Sequence, residues 1–170
     1  MKLNAAALKK FTSVAVPAFI TNGERAQIGP GIVHVGVGNF HRAHMGNYIN
    51  ELLESDFDAT KDWGIVGASI RGGPKKRDEL IEQDFLNLLV EQEGTDMTAS
   101  VLGSLIDFVP TSVDPVTDAM AAPETKIVSL TVTEGGYYLN DGKFDLGTML
   151  LLVLFWLLLL AIDSLSCFFL

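Results

Sequence analysis

The chain has 170 residues, 48% of them hydrophobic, which is enough to bury one ordinary core and too apolar for a disordered segment. Twelve Lys and Arg stand against 21 Asp and Glu, giving a formal net charge of -9; that field repels phosphate backbones and argues against nucleic acid as a partner. The one cysteine, Cys167, excludes an intrachain disulfide and a thiolate metal cluster, and with nothing calling for an oxidising compartment a cytoplasmic location is expected.

In chain order, residues 1–27 read as an arm, with a short helix candidate at Ala5–Phe11 and an extended Val14-Ala15-Val16-Pro17 stretch. Lys9 and Lys10 cut off the apolar run near the start, which is not the pattern of a secretory signal. Gly29-Pro30-Gly31 then punctuates, and Ile32-Val33-His34-Val35 reads as a buried strand ending in the turn Gly36-Val37-Gly38. Arg42 to Leu53 has helical spacing, with Met45, Tyr48, Ile49, Leu52 and Leu53 along one side. Trp63 to Ile70 is a second strand, and Pro74 fits the first turn of a helix running to about Gln83. Phe85–Glu91 and Ala99–Phe108 read as strands joined through Glu93-Gly94-Thr95-Asp96. Asp114-Pro115 opens a short helix, and Lys126 to Val132 is a β-branched strand. Strand, glycine turn, helix, strand, helix and later strands make the order of an α/β domain built on crossover connections.

Composition breaks near Leu146. From Met149 to Leu170 the chain is almost wholly Leu, Phe, Val and Ile, interrupted by Asp163, Ser164 and Ser166, and this segment lifts the mean hydropathy to +0.31. The layout expected is an arm over 1–27, a domain over 28–146 and a hydrophobic tail over 147–170. Counted to its end the tail is long enough to span a bilayer at about 1.5 Å per residue. Burying Asp163 near a helix centre would cost about 2.5–3.5 kcal/mol against many favourable residues. Three readings stay open: a C-terminal membrane anchor, a hydrophobic helix over the sheet edge, and a non-native end from a truncated or misread coding sequence. The break in mid-domain favours the third.

Gly36-x-Gly38 after a buried strand and before a helix is the strongest chemical signal. The first glycine permits a tight turn, the second lets a pyrophosphate approach the backbone, and the helix start supplies amides. His41 stands where the usual third glycine would be, and Ala43 is small enough for close packing soon after. Asn39, Phe40 and Arg42 lie at the same corner; Arg42 faces either a pyrophosphate or solvent. Thr131, Thr133 and Glu134 stand at the end of a parallel strand, where open α/β sheets bind ligands, or else cap that strand before Gly135-Gly136. After the second strand comes Arg71-Gly72-Gly73-Pro74-Lys75-Lys76-Arg77, with no acid before Asp78. NAD sites commonly place a carboxylate there; Arg71 and Lys75 instead suit a 2′-phosphate, or form a solvated helix start. His41 and His44 invite a metal-dependent hydrolase reading, but no third ligand is evident and local hydrogen bonding is the simpler role. His34, alternating with valines, reads as a satisfied histidine of the sheet.

The run Gly31-Ile32-Val33-His34-Val35-Gly36-Val37-Gly38-Asn39-Phe40-His41-Arg42-Ala43-His44 resembles the N-terminal signature of the long-chain mannitol dehydrogenase (polyol dehydrogenase) family. Asp62 to Gly67, Arg77 to Asp84 and Ile127 to Tyr137 agree with it in order and spacing, so the likeness covers residues 3 to 145 or so. The resemblance implies an α/β, Rossmann-type mostly parallel sheet with flanking helices, to which this chain adds a hydrophobic C-terminal helix. It implies NAD as cofactor, with NADP tolerated, bound at Gly36, Gly38, Asn39, Phe40, Arg42, Arg71, Thr131, Thr133 and Glu134. The activity implied is zinc-independent interconversion of a polyol and a ketose, as in mannitol 2-dehydrogenase. The family's catalytic lysine belongs to a second, helical domain expected to be absent here, and no lysine in residues 1–146 matches its motif. The chain is therefore expected to bind the dinucleotide without turnover, and to meet polyol or ketose only where a catalytic domain is supplied. The competing reading is a non-catalytic module that keeps the Rossmann fold, tethered to a membrane through 149–170 or serving interactions.

Overall fold

The structure is a computed structural model that describes residues 3–69, 74–132, 139–140 and 143–144. Its first compact unit, Met1–Thr131, is built on four parallel strands. In chain order the elements begin with α1 (Ala18–Thr21), β1 (Pro30–Val35), α2 (Asn39–Ala43), α3 (Met45–Ser55), α4 (Phe57–Thr60), β2 (Gly64–Ala68) and α5 (Lys75–Glu82). β3 (Asn87–Glu93), β4 (Asp96–Leu102), β5 (Leu105–Phe108), α6 (Val113–Ala121) and β6 (Ile127–Leu130) follow. The sheet order is β5-β2-β1-β6, every pair parallel, while β3 and β4 form a separate antiparallel hairpin. This is the α/β arrangement expected from the chain order, with the Rossmann-type parallel sheet that the resemblance implies. In the second compact unit, β7 (Leu139–Asn140) pairs with β8 (Lys143–Phe144) in a short antiparallel hairpin.

The period of two along β1 separates the layers. Ile32 packs with Ile65, Leu105, Phe108 and Leu80 of α5, whereas Val33 and Val35 join Val66, Ala68 and Val116 of α6. Helices thus cover both faces of a sheet whose central strands are buried on both sides, which is why those strands read as continuous apolar runs. Phe19 of the arm is buried with Ile28 and Leu53, each contributing on the order of 1.5–3 kcal/mol. The extended stretch near Val14 adds to β4 through Ala15, which donates to the Ala99 carbonyl at 2.8 Å and accepts from the Val101 amide at 2.8 Å.

Four sequence expectations change in detail. The arm's helix candidate is a single 3-10 turn, Leu8–Lys10. The strand expected over Ala99–Phe108 is two strands in two sheets, because the chain leaves the hairpin at Gly103-Ser104. There Arg25 holds the Gly103 carbonyl at 2.9 Å and the Leu105 carbonyl at 2.7 Å. The helix expected over Arg42–Leu53 breaks at His44 (φ -116°, ψ -83°) into α2 and α3. Its apolar side is also rotated: Gly46, Asn50 and Leu53 are the buried positions, while Tyr48 is 64% exposed. Polar docking sets that rotation, since Asn50 Oδ1 accepts from the Gly103 amide at 2.8 Å and Ser104 Oγ donates to the Gly46 carbonyl at 2.6 Å. The tail over 147–170 lies outside the described residues, and among those described no helix is long and apolar enough to cross a membrane.

Candidate functional site

The C-terminal ends of β1, β2 and β6 meet at the glycine turn. Gly36 donates to the Ala68 carbonyl and Thr131 to the Val35 carbonyl, both at 3.0 Å, so the turn is tied to each neighbouring strand. The two glycines do different work. Gly36 has φ +101°, and a β-carbon there would lie 3.3 Å from Thr131 Cβ, so the fold itself requires glycine. Gly38 has φ -106° and ψ -168°, open to any residue, and among the described residues a β-carbon would meet only the Gly36 carbonyl oxygen at 3.8 Å. Among the described residues the space above Gly38 is empty, which is the fit expected of a backbone that a pyrophosphate must approach. α2 follows at once, and the amides of its first turn have no acceptor within the helix.

Side chains gather round this corner. Arg42 points its Nε at the Gly38 carbonyl (3.3 Å), Nη2 at Asn39 Oδ1 and Nη1 at Asn87 Oδ1 (3.5 Å). Arg42, Asn39 and Asn87 line a cleft of about 480 Å³ with Ala43, Gln83 and Leu89. Lys76 of α5 reaches across and donates to the carbonyl of Val37, the middle residue of the turn. His34 faces β6, with Nδ1 at 2.9 Å from Ser129 Oγ and Nε2 at 3.1 Å from Thr131 Oγ1, as expected of a satisfied sheet histidine.

His41 departs from the sequence reading. Its ring stacks on His34, centroids 4.0 Å apart, it is 2% exposed, and neither nitrogen finds a hydrogen-bond partner among the described residues. Burial pushes its pKa down to about 3, and electrostatic coupling to His34, Arg42 and Lys76 adds to the effect. Burial lowers His34 as well, against a smaller raising influence from the Gly36 backbone. Both rings are therefore neutral near pH 7. His44 turns the other way, onto the exposed Phe40 (centroids 4.5 Å), so the two histidines that suggested a metal pair do not converge. Among the described residues no cluster of three or more His, Cys, Asp or Glu is arranged to hold a metal ion.

Residues 30–164 match the family model of the mannitol dehydrogenase Rossmann domain. The chain belongs to the mannitol dehydrogenase family. It is 42% identical over 149 residues to the mannitol 2-dehydrogenase of Pyrenophora tritici-repentis, a match covering 86% of this chain and 25% of that protein. To the mannitol 2-dehydrogenase of Cereibacter sphaeroides it is 40% identical over 137 residues, covering 78% of this chain and 28% of the relative. Among solved structures it is similar to Pseudomonas fluorescens mannitol 2-dehydrogenase in ternary complex with NAD and D-mannitol. That similarity has a TM-score of 0.73 and 39% identity, covering 85% of this chain and 30% of that one. A substrate-free D-sorbitol dehydrogenase gives a TM-score of 0.72 at 36% identity, over 86% of this chain and 30% of that one. The chain thus spans about a quarter of the length of the curated relatives it matches.

Within this mannitol dehydrogenase domain the structure brings Gly36, Gly38, Asn39, Arg42 and Thr131 to one corner. Phe40 is at the same corner but 68% exposed, over an apolar hollow shared with His44, Met45, Tyr48 and Ile49. Arg71, Thr133 and Glu134 lie outside the described residues. Lys75, expected beside Arg71, is 88% exposed and paired with Glu79 at 3.9 Å. Sequence reasoning passed over Lys76 and Asn87. For Lys76 the signal was present in the same basic run, but which of two adjacent lysines turns inward depends on helix phase.

Proposed function

We propose that this chain is the NAD(P)-binding domain of a polyol:ketose oxidoreductase of the mannitol 2-dehydrogenase type, with NAD or NADP held at the Gly36–Arg42 corner. The observation that carries the reading is the contrast between the two glycines. Gly36 is required by the fold, while Gly38 is not required by it and leaves room for a group that approaches its Cα from outside. Gly38, Asn39 and Phe40 would face the pyrophosphate, Arg42 would neutralise it, and Thr131 would bound the site on the β6 side. The bound dinucleotide supplies hydride chemistry; the protein supplies position and charge.

Turnover needs more than this corner offers. Oxidation of an alcohol requires a base within hydrogen-bond reach of the hydroxyl proton. Of the imidazoles beside the turn, His34 is engaged by Ser129 and Thr131, and His41 is buried with a pKa of about 3. Neither imidazole beside the turn is placed to act as that base, so binding of cofactor without oxidation of a polyol is the behaviour expected of the described residues. The placement is tested with Gly38→Val, titrated with NADH and NADPH by calorimetry beside the unmodified chain. Since the fold leaves room for the added β-carbon, melting temperature should hold while affinity falls at least about tenfold. Equal affinity in the two proteins would remove the cofactor from this corner.

A further inference from the structure

Two cations converge on the glycine turn from opposite sides. Arg42 comes from α2 and lies over Gly38 and Asn39; Lys76 comes from α5 and holds the Val37 carbonyl through a partly buried hydrogen bond. Their charges disfavour one another: burial first, then Arg42, lowers the pKa of Lys76, and Glu79 offsets this only in part. That same Glu79 is the ion-pair partner of Lys75, so the two adjacent lysines have different roles. Lys75 is solvated and paired, whereas Lys76 is turned onto the turn, with no carboxylate in an ion pair with it among the described residues. Like charges gathered beside an open backbone corner are stabilised by an anion between them.

Position selects which anion. β1 and β2 are neighbours, with Val35 in register with Ala68 and the Gly36 amide bonded to the Ala68 carbonyl. Lys76 reaches the turn from the segment after β2, the place where open α/β sheets put the residue that meets the adenosine ribose. Between Asp62 and Asp78 the sequence has no acid to accept ribose hydroxyls. We infer that Lys76 is the selectivity-determining residue of the corner, its ammonium receiving the 2′-phosphate of a phosphorylated adenosine ribose while Arg42 serves the pyrophosphate. This assignment rests on the cofactor reading above and adds to it the residue through which NADP(H) is accepted.

The test separates the two. The unmodified chain, Lys76→Gln and Lys75→Gln are titrated with adenosine 2′,5′-bisphosphate and with adenosine 5′-monophosphate, then with NADPH and NADH. Glutamine keeps a donor for the Val37 carbonyl and removes the charge. Lys76→Gln should weaken the 2′-phosphorylated ligands at least about tenfold and leave the others within about twofold, while Lys75→Gln changes neither group by more than about twofold. Lys76→Arg retains the preference and covers the case in which the glutamine variant melts early. Equal weakening of both ligand groups, or none, overturns the assignment of Lys76 alone. Failure of the unmodified chain to bind any of the four nucleotides overturns the cofactor reading, and this assignment with it.

Discussion

Replacing His41 by leucine should flatten the acid sensitivity of the fold. An imidazole that ordinarily titrates at 6.5 does so at about 3 once buried against His34 beneath the charges of Arg42 and Lys76. The unfolded chain then binds a proton below pH 6.5 that the folded chain refuses until about pH 3, so stability present above pH 6.5 is lost as the pH falls through that window. At about 1.36 kcal/mol per pH unit the full loss approaches about 5 kcal/mol near pH 3, with about 2 kcal/mol of it between pH 7 and pH 5. His41→Leu removes this contribution and keeps most of the packed volume; His34, lowered in the same direction, retains its own smaller share. At pH 7 the variant should match the unmodified chain or exceed it slightly, because a buried ring nitrogen without a partner is replaced by carbon. Urea unfolding at pH 7 and pH 5 measures both proteins, and the surface carboxylates cancel in the difference. The unmodified chain should lose about 2 kcal/mol more than His41→Leu, or about 4–8 °C in a parallel melt of a chain this size. Equal losses in the two proteins would refute the buried, neutral imidazole.

Gly36→Ala should destabilise the fold by about 1–3 kcal/mol through its positive φ and the nearby Thr131 Cβ, whereas Gly38→Ala should change it by less than about 0.5 kcal/mol; thermal melts that rank the two equally would contradict the division of roles. Asn50→Ala leaves the Gly103 amide without its buried acceptor and should cost about 1–3 kcal/mol in urea, where a loss below about 0.5 kcal/mol would show that α3 does not rely on this bond.

The sheet was legible because its signals are local. The apolar runs at Ile32–Val35 and Ile65–Ala68 carry no polar alternation except His34, which marks a partner across the strand and finds Ser129 and Thr131. Pro74 stands where α5 starts, and Gly36-x-Gly38 fixes the turn. The features that escaped depend on contacts far apart in sequence. Arg25 divides Ala99–Phe108 by holding carbonyls 78 and 80 residues away, and no property of the apolar run itself reveals that. The rotation of α3 comes from Asn50 meeting Gly103, 53 residues on, so a face drawn from hydrophobic spacing alone admits Tyr48 and Leu52, which are exposed. His41, at the position of a third glycine, gave no hint that its ring would enter the core and stack on His34.

Whether the Gly36–Arg42 corner holds nicotinamide dinucleotide without turnover is tested most directly in one cuvette. The purified chain is titrated with NADH by fluorescence, and fructose is then added while absorbance follows the reduced cofactor. A saturable signal that disappears in Gly38→Val, with no consumption of NADH after fructose, is the result predicted. Steady NADH oxidation at rates typical of dehydrogenases, about 1 per second or faster, would contradict the proposal of binding without turnover. The absence of any saturable signal would contradict the claim of a cofactor site.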